Sequence, residues 1–150
     1  MKFLLFDRVV SHTPGKFVRA ELDIPDGSHA AYAAHFPRGP LYPRTLVIES
    51  MVQVLGWLAM EAHDYTVLSV LAGLEDAQAL GNNILEPGKS RLVIEATLLG
   101  TNRRSSVGTV SSEDENLIQQ GYVKRVLYAH VPHDDPDALR ARFQEHGGAP

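Results

Sequence analysis

The sequence predicts an α+β domain in which one antiparallel sheet of about five or six strands wraps around one long central helix. Three observations lead to this prediction. An unbroken apolar stretch follows a proline-punctuated loop, segments of alternating polarity occupy much of the remaining chain, and turn-forming residues separate those segments. With 150 residues and no repeat or linker, we expect a single domain, with its core over residues 1–131 and a C-terminal extension over 132–150.

The N-terminal segment predicts a hairpin. Residues 3–10 (FLLFDRVV) and 17–24 (FVRAELDI) are typical of strands, and residues 13–16 (TPGK) place proline and glycine at the centre of a type II turn. Residues 25–34 form a connection of small and polar residues. The first apolar run is too short for a signal peptide or a membrane span, so we expect a cytoplasmic protein without a membrane segment.

The central stretch predicts a stiff loop followed by a buried helix. Pro37, Pro40 and Pro43 recur at a three-residue interval, which forbids a helix and holds the backbone extended. The helix is expected to begin at about Thr45 and to end near residues 62–64, a length of roughly 18 residues. Because it is apolar nearly all round, it should be the element that the sheet covers.

Two polar residues interrupt this helix. Glu49 and Gln53 are four positions apart and therefore lie on one face. A carboxylate among apolar neighbours costs free energy unless it is paired, protonated or functional. We expect the helix to hold Glu49 largely out of solvent, which favours the neutral carboxylic acid that a general acid requires. His35, in the proline loop, offers a base at neutral pH.

Alternating segments downstream of the helix predict the remaining strands. Residues 66–78 predict a partly buried strand, and an irregular stretch follows it. Residues 90–100 alternate well, and residues 105–112 and 117–131 complete a meander around a polar turn. A single sheet around one helix leaves one sheet edge and one helix flank uncovered, which favours a dimer.

The C-terminal residues 134–148 predict a short helix. Asp135 is placed to cap its N-terminus, Pro136 occupies its first position, and a glycine follows its end. Leu139 and Phe143, four residues apart, are its only apolar anchors. We therefore expect a peripheral extension rather than a part of the core.

Composition and charge exclude several functional classes. The net charge of −4 gives no electrostatic reason to expect nucleic acid. The absence of cysteine excludes disulfides, thiolate metal sites and a cysteine nucleophile. The sequence also lacks the G-x-S-x-G motif that would indicate a serine hydrolase. His130 and His133 have a spacing that metal ligands can use, but they lie beside two aspartates past a strand end, where a solvated cluster is expected and a metal site is not.

Residues 35–53, reading HFPRGPLYPRTLVIESMVQ, resemble the signature of the 3-hydroxyacyl-[acyl carrier protein] dehydratases, hot-dog enzymes of fatty acid synthesis. That family has a His-Phe-Pro loop with further prolines, an acidic residue fourteen positions after the histidine, and glutamine four positions later. His35, Glu49 and Gln53 match this pattern. FLLFDRV, PGK, LAGLEDAQ and EPGK are similar as well, so the resemblance runs over most of residues 3–130 and implies the hot-dog fold.

The resemblance also implies a reaction, the reversible dehydration of a (3R)-3-hydroxyacyl thioester to the trans-2-enoyl thioester. His35 would remove the C2 proton, and Glu49 of the neighbouring subunit would protonate the departing hydroxyl. Gln53 would position Glu49. The backbone N–H groups of Arg44 and Thr45, at the start of the helix, would polarise the thioester carbonyl.

The remaining implied contacts concern substrate and partners. The acyl chain would lie along the apolar helix, and the phosphopantetheine arm of an acyl carrier protein would enter beside the proline loop. The implied assembly is a homodimer or a trimer of dimers, and no metal, nucleotide or other cofactor is expected. The implied substrate-binding side chains are Phe36, Tyr42, Pro43, Met51, Leu55 and Trp57.

The sequence departs from the family pattern in three places. Ala34 stands where the family has glycine, Arg38 and Gly39 replace glycine and a variable residue, and Arg44 replaces the glycine at the start of the helix. Arginine keeps the backbone N–H but adds a cation where the helix dipole disfavours one. An expected role for its guanidinium is to meet the phosphate of the pantetheine arm or acidic residues of the carrier.

Other functions stay open at this point. A hot-dog acyl thioesterase would use its carboxylate to activate water. An enoyl-CoA hydratase, or a dehydratase of polyketide or pigment synthesis, would accommodate the three departures. A dimer that binds acyl thioesters without catalysis would keep only the fold.

Overall fold

The computed structural model describes residues 5–28, 42–80 and 85–146. All the strands of these residues join one antiparallel sheet in the order β1-β2-β4-β5-β6-β3, and the long helix α1 packs against β2 to β6. This is the hot-dog architecture, so the predicted α+β fold class is confirmed. The elements are β1 (Arg8–Thr13), β2 (Phe17–Asp23), α1 (Arg44–Glu61), β3 (Val67–Ala79), β4 (Arg91–Thr101), β5 (Ser105–Asp114), β6 (Gln119–Pro132) and α2 (Pro136–Glu145).

The N-terminal hairpin is confirmed, although its first strand is shifted. β1 and β2 pair directly up to the turn, with Thr13 opposite Phe17, and Gly15 has the φ of 67° that a type II turn requires. β1 therefore runs over Arg8–Thr13 instead of residues 3–10. The apolar residues of the segment suggested the range 3–10, whereas backbone pairing across the turn determines which residues form the strand.

The central helix is confirmed at 18 residues and begins at Arg44, one position before the expected start. Its inner face lies unusually close to the sheet at Gly108 of β5. A Cβ on this glycine would lie 2.7 Å from the side chain of Leu55 and 2.7 Å from the carbonyl oxygen of Thr97. The bare backbone at this position therefore permits the close approach of helix and sheet.

The end of α1 is tied to the first hairpin by Glu61. Its carboxylate accepts a 2.8 Å hydrogen bond from the backbone N–H of Gly15 and lies 2.8 Å from Nε2 of His12. The side chains of His12 and Glu61 are largely buried, with exposures of 5% and 12%. This contact fixes the turn of the hairpin against the last turn of the helix.

β3 is an edge strand, and this differs from the partly buried strand that the sequence predicts. Among the described strands it pairs with β6 alone, and an irregularity separates Leu71 from Gly73. Val70, Leu71 and Leu74 are exposed to 48%, 44% and 39%. The irregular stretch expected after β3 lies partly outside the described residues.

The predicted C-terminal helix is confirmed, but it is not peripheral. Asp135 caps it by accepting a 3.0 Å hydrogen bond from the N–H of Ala138. Phe143 is 1% exposed and stacks on Trp57 with ring centroids 5.6 Å apart and planes 8° apart. Two apolar anchors therefore suffice to seat α2 in the core, because they meet an aromatic cluster. The glycine expected to end this helix lies outside the described residues.

Within the ranges that the structure describes, no helix combines the length and the apolar character that crossing a membrane requires.

Candidate active site

A cleft of about 380 Å³ runs along the flank of α1 that faces the edge strand. Its walls come from α1, β3, β6 and α2, so two pairs of consecutive elements that are distant in sequence build it. It is apolar along most of its length and carries polar groups at few positions. The lining residues are Glu49, Val52, Gln53, Gly56, Trp57, Met60, Leu68, Ser69, Leu71, Tyr128, Leu139 and Arg142.

The helix side of the cleft is one continuous stripe. From Glu49 the lining positions of α1 follow at intervals of three and four residues as far as Met60, which is the spacing of a single helical face. Met51 and Leu55 are fully buried under the sheet and are not among the described lining residues. Their expected contact with the acyl chain stays a prediction, whereas the expected Trp57 does line the cleft.

Glu49 and Gln53 lie together in the cleft, as their spacing predicts. Nε2 of Gln53 donates a 3.2 Å hydrogen bond to Oε1 of Glu49. Oε1 of Gln53 accepts a 2.8 Å bond from the backbone N–H of Leu5. The orientation of the Gln53 amide is thus fixed from both ends, and the amide presents its N–H to the carboxylate.

The expectation that α1 holds Glu49 largely out of solvent is wrong for the single chain, in which this residue is exposed. The helix is apolar nearly all round, but the sheet covers only part of its circumference. Glu49 lies on the flank that the sheet leaves open, beside the edge strand.

Tyr128 of β6 is a site residue that the sequence did not single out. Its hydroxyl donates to the carbonyl oxygen of Val52, and its ring faces Gly56, where an added Cβ would lie 3.4 Å from the ring. Burial raises the pKa of Tyr128, and the nearby Glu49 carboxylate adds to this. Tyr128 therefore remains a protonated donor. The inward alternation of residues 117–131 was the signal that could have identified it.

The start of α1 combines buried side chains with uncapped backbone. Tyr42 and Pro43 are buried beside the helix and are not among the described residues of the cleft wall. Among the described residues no side chain caps the helix at Pro43, and the N–H of Thr45, in the first turn, has no intrahelical partner. The guanidinium of Arg44 donates to the carbonyl oxygen of Leu80, at the end of β3.

The other predicted site residues of the proline loop, His35 and Phe36, lie outside the described residues, as do Ala34, Arg38 and Gly39. The structure therefore gives no distance between His35 and Glu49. The pairing of these two residues stays a prediction.

His130 and His133 do not form the solvated cluster that the sequence predicts. The ring of His130 lies 2.8 Å from Oγ of Ser106 and contacts the ring of His63 at a centroid distance of 4.9 Å. Burial and the neighbouring His63 lower the pKa of His130. His133 instead donates its backbone N–H to Thr66. In the described ranges no three His, Asp or Glu side chains converge as metal ligands would.

Comparison with known proteins identifies relatives. The family model of the FabA-like domain matches residues 1–121. The 3-hydroxyacyl-[acyl-carrier-protein] dehydratase FabZ of Actinobacillus succinogenes is 35% identical over 78 residues, which cover 51% of this chain and 51% of that protein. The enzyme of the same name from Pasteurella multocida is 38% identical over 61 residues, 41% of this chain and 40% of that protein. The chain thus spans about half the length of the curated relatives that it matches.

Solved structures show the same fold at low identity. A protein of Streptococcus mutans bound to acetyl coenzyme A aligns with a TM-score of 0.61 at 12% identity, covering 83% of this chain and 88% of that one. A thioesterase of Haemophilus influenzae aligns with a TM-score of 0.59 at 10% identity, covering 82% and 77%. These likenesses show the hot-dog fold and leave the chemistry to be argued from the site.

Proposed function

Because the chain belongs to the FabA-like domain family, we propose that it is a hydro-lyase that dehydrates (3R)-3-hydroxyacyl thioesters to trans-2-enoyl thioesters. The observation that carries this proposal is the hydrogen-bonded pair of Glu49 and Gln53 at the wall of an apolar cleft. A carboxyl group held by an amide beside a groove for an aliphatic chain suits acid catalysis on an acyl substrate. The dehydratases that match the chain bear the same activity in their names.

In the proposed reaction His35 removes the proton from C2, and the electron pair of that C–H bond forms the C2–C3 double bond. The hydroxyl at C3 leaves with the proton of Glu49, so one water is released. Gln53 holds Glu49 in the orientation that the transfer requires. N–H groups of the first turn of α1 would stabilise the negative charge that develops on the thioester oxygen.

We propose a homodimer, because one flank of the cleft is open in the single chain. Glu49 is exposed there, and β3, which pairs with β6 alone among the described strands, presents apolar side chains beside it. Pairing of two β3 edges would cover these groups and bring the partner's proline loop towards Glu49. Burial at this interface would supply the desolvation that α1 alone does not.

An acyl carrier protein is the proposed partner, as the names of the matched relatives suggest. The thioester substrate would then arrive on a phosphopantetheine arm. The expected cytoplasmic location, the absence of a cofactor and the choice between a dimer and a trimer of dimers stay predictions.

The direct test is to incubate the protein with 3-hydroxyoctanoyl thioesters of acyl carrier protein and of coenzyme A, and to follow the enoyl absorbance. We expect His35→Ala and Glu49→Gln each to lower turnover by about 10²-fold or more without unfolding the chain. Glu86→Gln, at an exposed turn away from the cleft, serves as the matched control. Normal turnover in Glu49→Gln would remove the assignment.

A thioesterase is the second candidate, favoured by the exposure of Glu49, which leaves room for a water molecule at the carboxylate. Such an enzyme would release a free thiol and form no enoyl product. Measuring thiol release and enoyl absorbance on the same thioester separates the two activities.

A further inference from the structure

One end of the cleft is built by α2. Leu139 and Arg142, one turn apart on this helix, both line the cleft, and Leu139 is 7% exposed. α2 covers residues 136–145, whereas the family model matches residues 1–121. This wall therefore lies beyond the part of the chain that the family model matches.

α2 meets the cleft at the end opposite to Glu49. Its contacts are with the late part of α1 and the turn that follows: Phe143 stacks on Trp57, and the guanidinium of Arg140 lies 5.6 Å from the ring centroid of Tyr65. Glu49 and Met60 are eleven residues apart on one stripe, a length of about 16 Å. The cleft thus runs from a polar end at Glu49 to an end closed by α2.

The wall that α2 forms is firmly held. Phe143 is 1% exposed and also contacts Phe6 and His12, and the backbone carbonyl of His146 accepts a 2.8 Å hydrogen bond from Val9. Displacing a helix anchored in this way to admit a longer ligand would cost free energy, because the movement would open the aromatic cluster.

Arg142 adds a second reason for the cleft to end here. Its guanidinium makes no hydrogen bond or ion pair with any residue in the described ranges, and it lies beside Leu139 at the cleft wall. A methyl terminus that passed Leu139 would have to displace water from this cation, which is unfavourable.

We infer that α2 sets the length of the acyl chain that the cleft accepts, with Leu139 as the residue that the chain end meets. The inference rests on the proposed function for the identity of the ligand, an aliphatic acyl chain. The wall at α2 lies about 16 Å from Glu49 along α1, a span that a short acyl chain does not fill and a long one does. Leu139 and Arg142 are thus specificity residues and not catalytic ones.

Trp57 allows the inference to be tested by binding as well as by turnover. It is the only tryptophan of the chain, it lines the cleft, and it lies against α2. Its fluorescence can be titrated with dodecanoic and hexadecanoic acids, and the same proteins can be assayed with 3-hydroxydodecanoyl and 3-hydroxyhexadecanoyl thioesters. We compare the wild type, Leu139→Ala, Leu139→Phe, and Gln144→Ala as an exposed control on the same helix.

We expect Leu139→Ala to improve hexadecanoic over dodecanoic acid by about tenfold in Kd, and to shift kcat/KM in the same direction. Leu139→Phe should shift the preference towards shorter chains, and Gln144→Ala should behave as wild type. Leu139→Phe keeps the anchor apolar, so it tests the chain-length role even if Leu139→Ala does not fold.

The outcomes separate the two proposals. If the folded variants keep the chain-length ratio of the wild type in both assays, α2 does not limit the chain and the inference is overturned, although dehydratase activity stands. If Trp57 reports the expected shift but no enoyl product forms, the chain-length role stands and the proposed reaction fails. If no acid of any length changes the Trp57 emission, the cleft does not bind acyl chains and the inference falls.

Discussion

The amide of Gln53 donates a 3.2 Å hydrogen bond to the carboxylate of Glu49, one helical turn before it. The oxygen of the same amide is held by the N–H of Leu5 at 2.8 Å, so the amide cannot turn over without losing both bonds. Gln53 is therefore placed to orient Glu49 and to keep one carboxylate oxygen for the substrate.

Replacing Gln53 should lower the rate of dehydration in addition to any effect on the stability of the fold. We expect Gln53→Leu to reduce kcat by about tenfold with little change in KM, because Glu49 loses its orienting donor. Gln53→Glu should instead move the acidic limb of the kcat–pH profile upward, since a second carboxylate would lie about one hydrogen-bond length from the first. The measurement is kcat against pH for both variants. A profile identical to the wild type in Gln53→Glu would contradict the positioning role.

The proposed dimer predicts complementation between two inactive variants. His35→Ala and Glu49→Gln, each inactive alone, should recover part of the wild-type activity when mixed, because a hybrid dimer carries one intact site. The mixture is allowed to exchange subunits and is then assayed by enoyl absorbance. Sedimentation gives the oligomeric state in parallel. A fully active monomer, or no recovery despite proven exchange, would refute shared sites.

Replacing Arg44 distinguishes a structural role of this residue from the electrostatic role that the sequence suggests. Its guanidinium donates to the carbonyl oxygen of Leu80 and so joins the start of α1 to the end of β3. We expect Arg44→Gly to lower Tm by a few degrees, because a charge-assisted hydrogen bond contributes about 1.5–3 kcal/mol. KM for a carrier-bound and for a short pantetheine thioester should change alike. A penalty confined to the carrier-bound substrate and reduced by salt would instead support pairing with an anion.

Stability should fall in acid because of Asp23. The hydrogen-bonded guanidinium of Arg8, helped by Arg91, lowers the pKa of Asp23 to about 2. An unfolded aspartate has a pKa of about 3.9, so between these values the unfolded chain binds more protons. This contribution to stability is full above about pH 4 and is lost as the pH falls through about 2. Denaturant unfolding across this range should show a flatter pH dependence for Asp23→Asn, and Asp134→Asn is an exposed control. An unchanged slope in Asp23→Asn would exclude this ion pair as the cause.

The parts of the fold that the sequence predicted are those with strong local signals. The proline–glycine turn at residues 14 and 15 predicted the hairpin, and an unbroken apolar stretch predicted the start of α1 to within one residue. The shift of the first strand to Arg8–Thr13 was missed, because polar residues near the turn weaken the strand pattern while backbone pairing extends it.

The parts that could not be predicted depend on contacts distant in sequence. The exposure of Glu49 follows from the position of β3 at the sheet edge. The periodicity of a strand does not indicate its place in the strand order. The stack of Phe143 on Trp57 joins two helices that lie far apart along the chain. For the same reason Leu139, Arg142 and Tyr128 were missed as site residues, although each lies on an inward face of its own element.

The strand order has a consequence for how the chain folds. β3 follows α1 directly, yet its partner in the sheet is β6, the last strand. On the ribosome the apolar α1 emerges well before β4, β5 and β6, which supply much of its cover. Pairings this distant in sequence favour slow folding, because a long loop must close before the contacts form. A chain interrupted before residue 119 leaves β3 without a strand to pair with, so nascent chains of that length should be clients of chaperones.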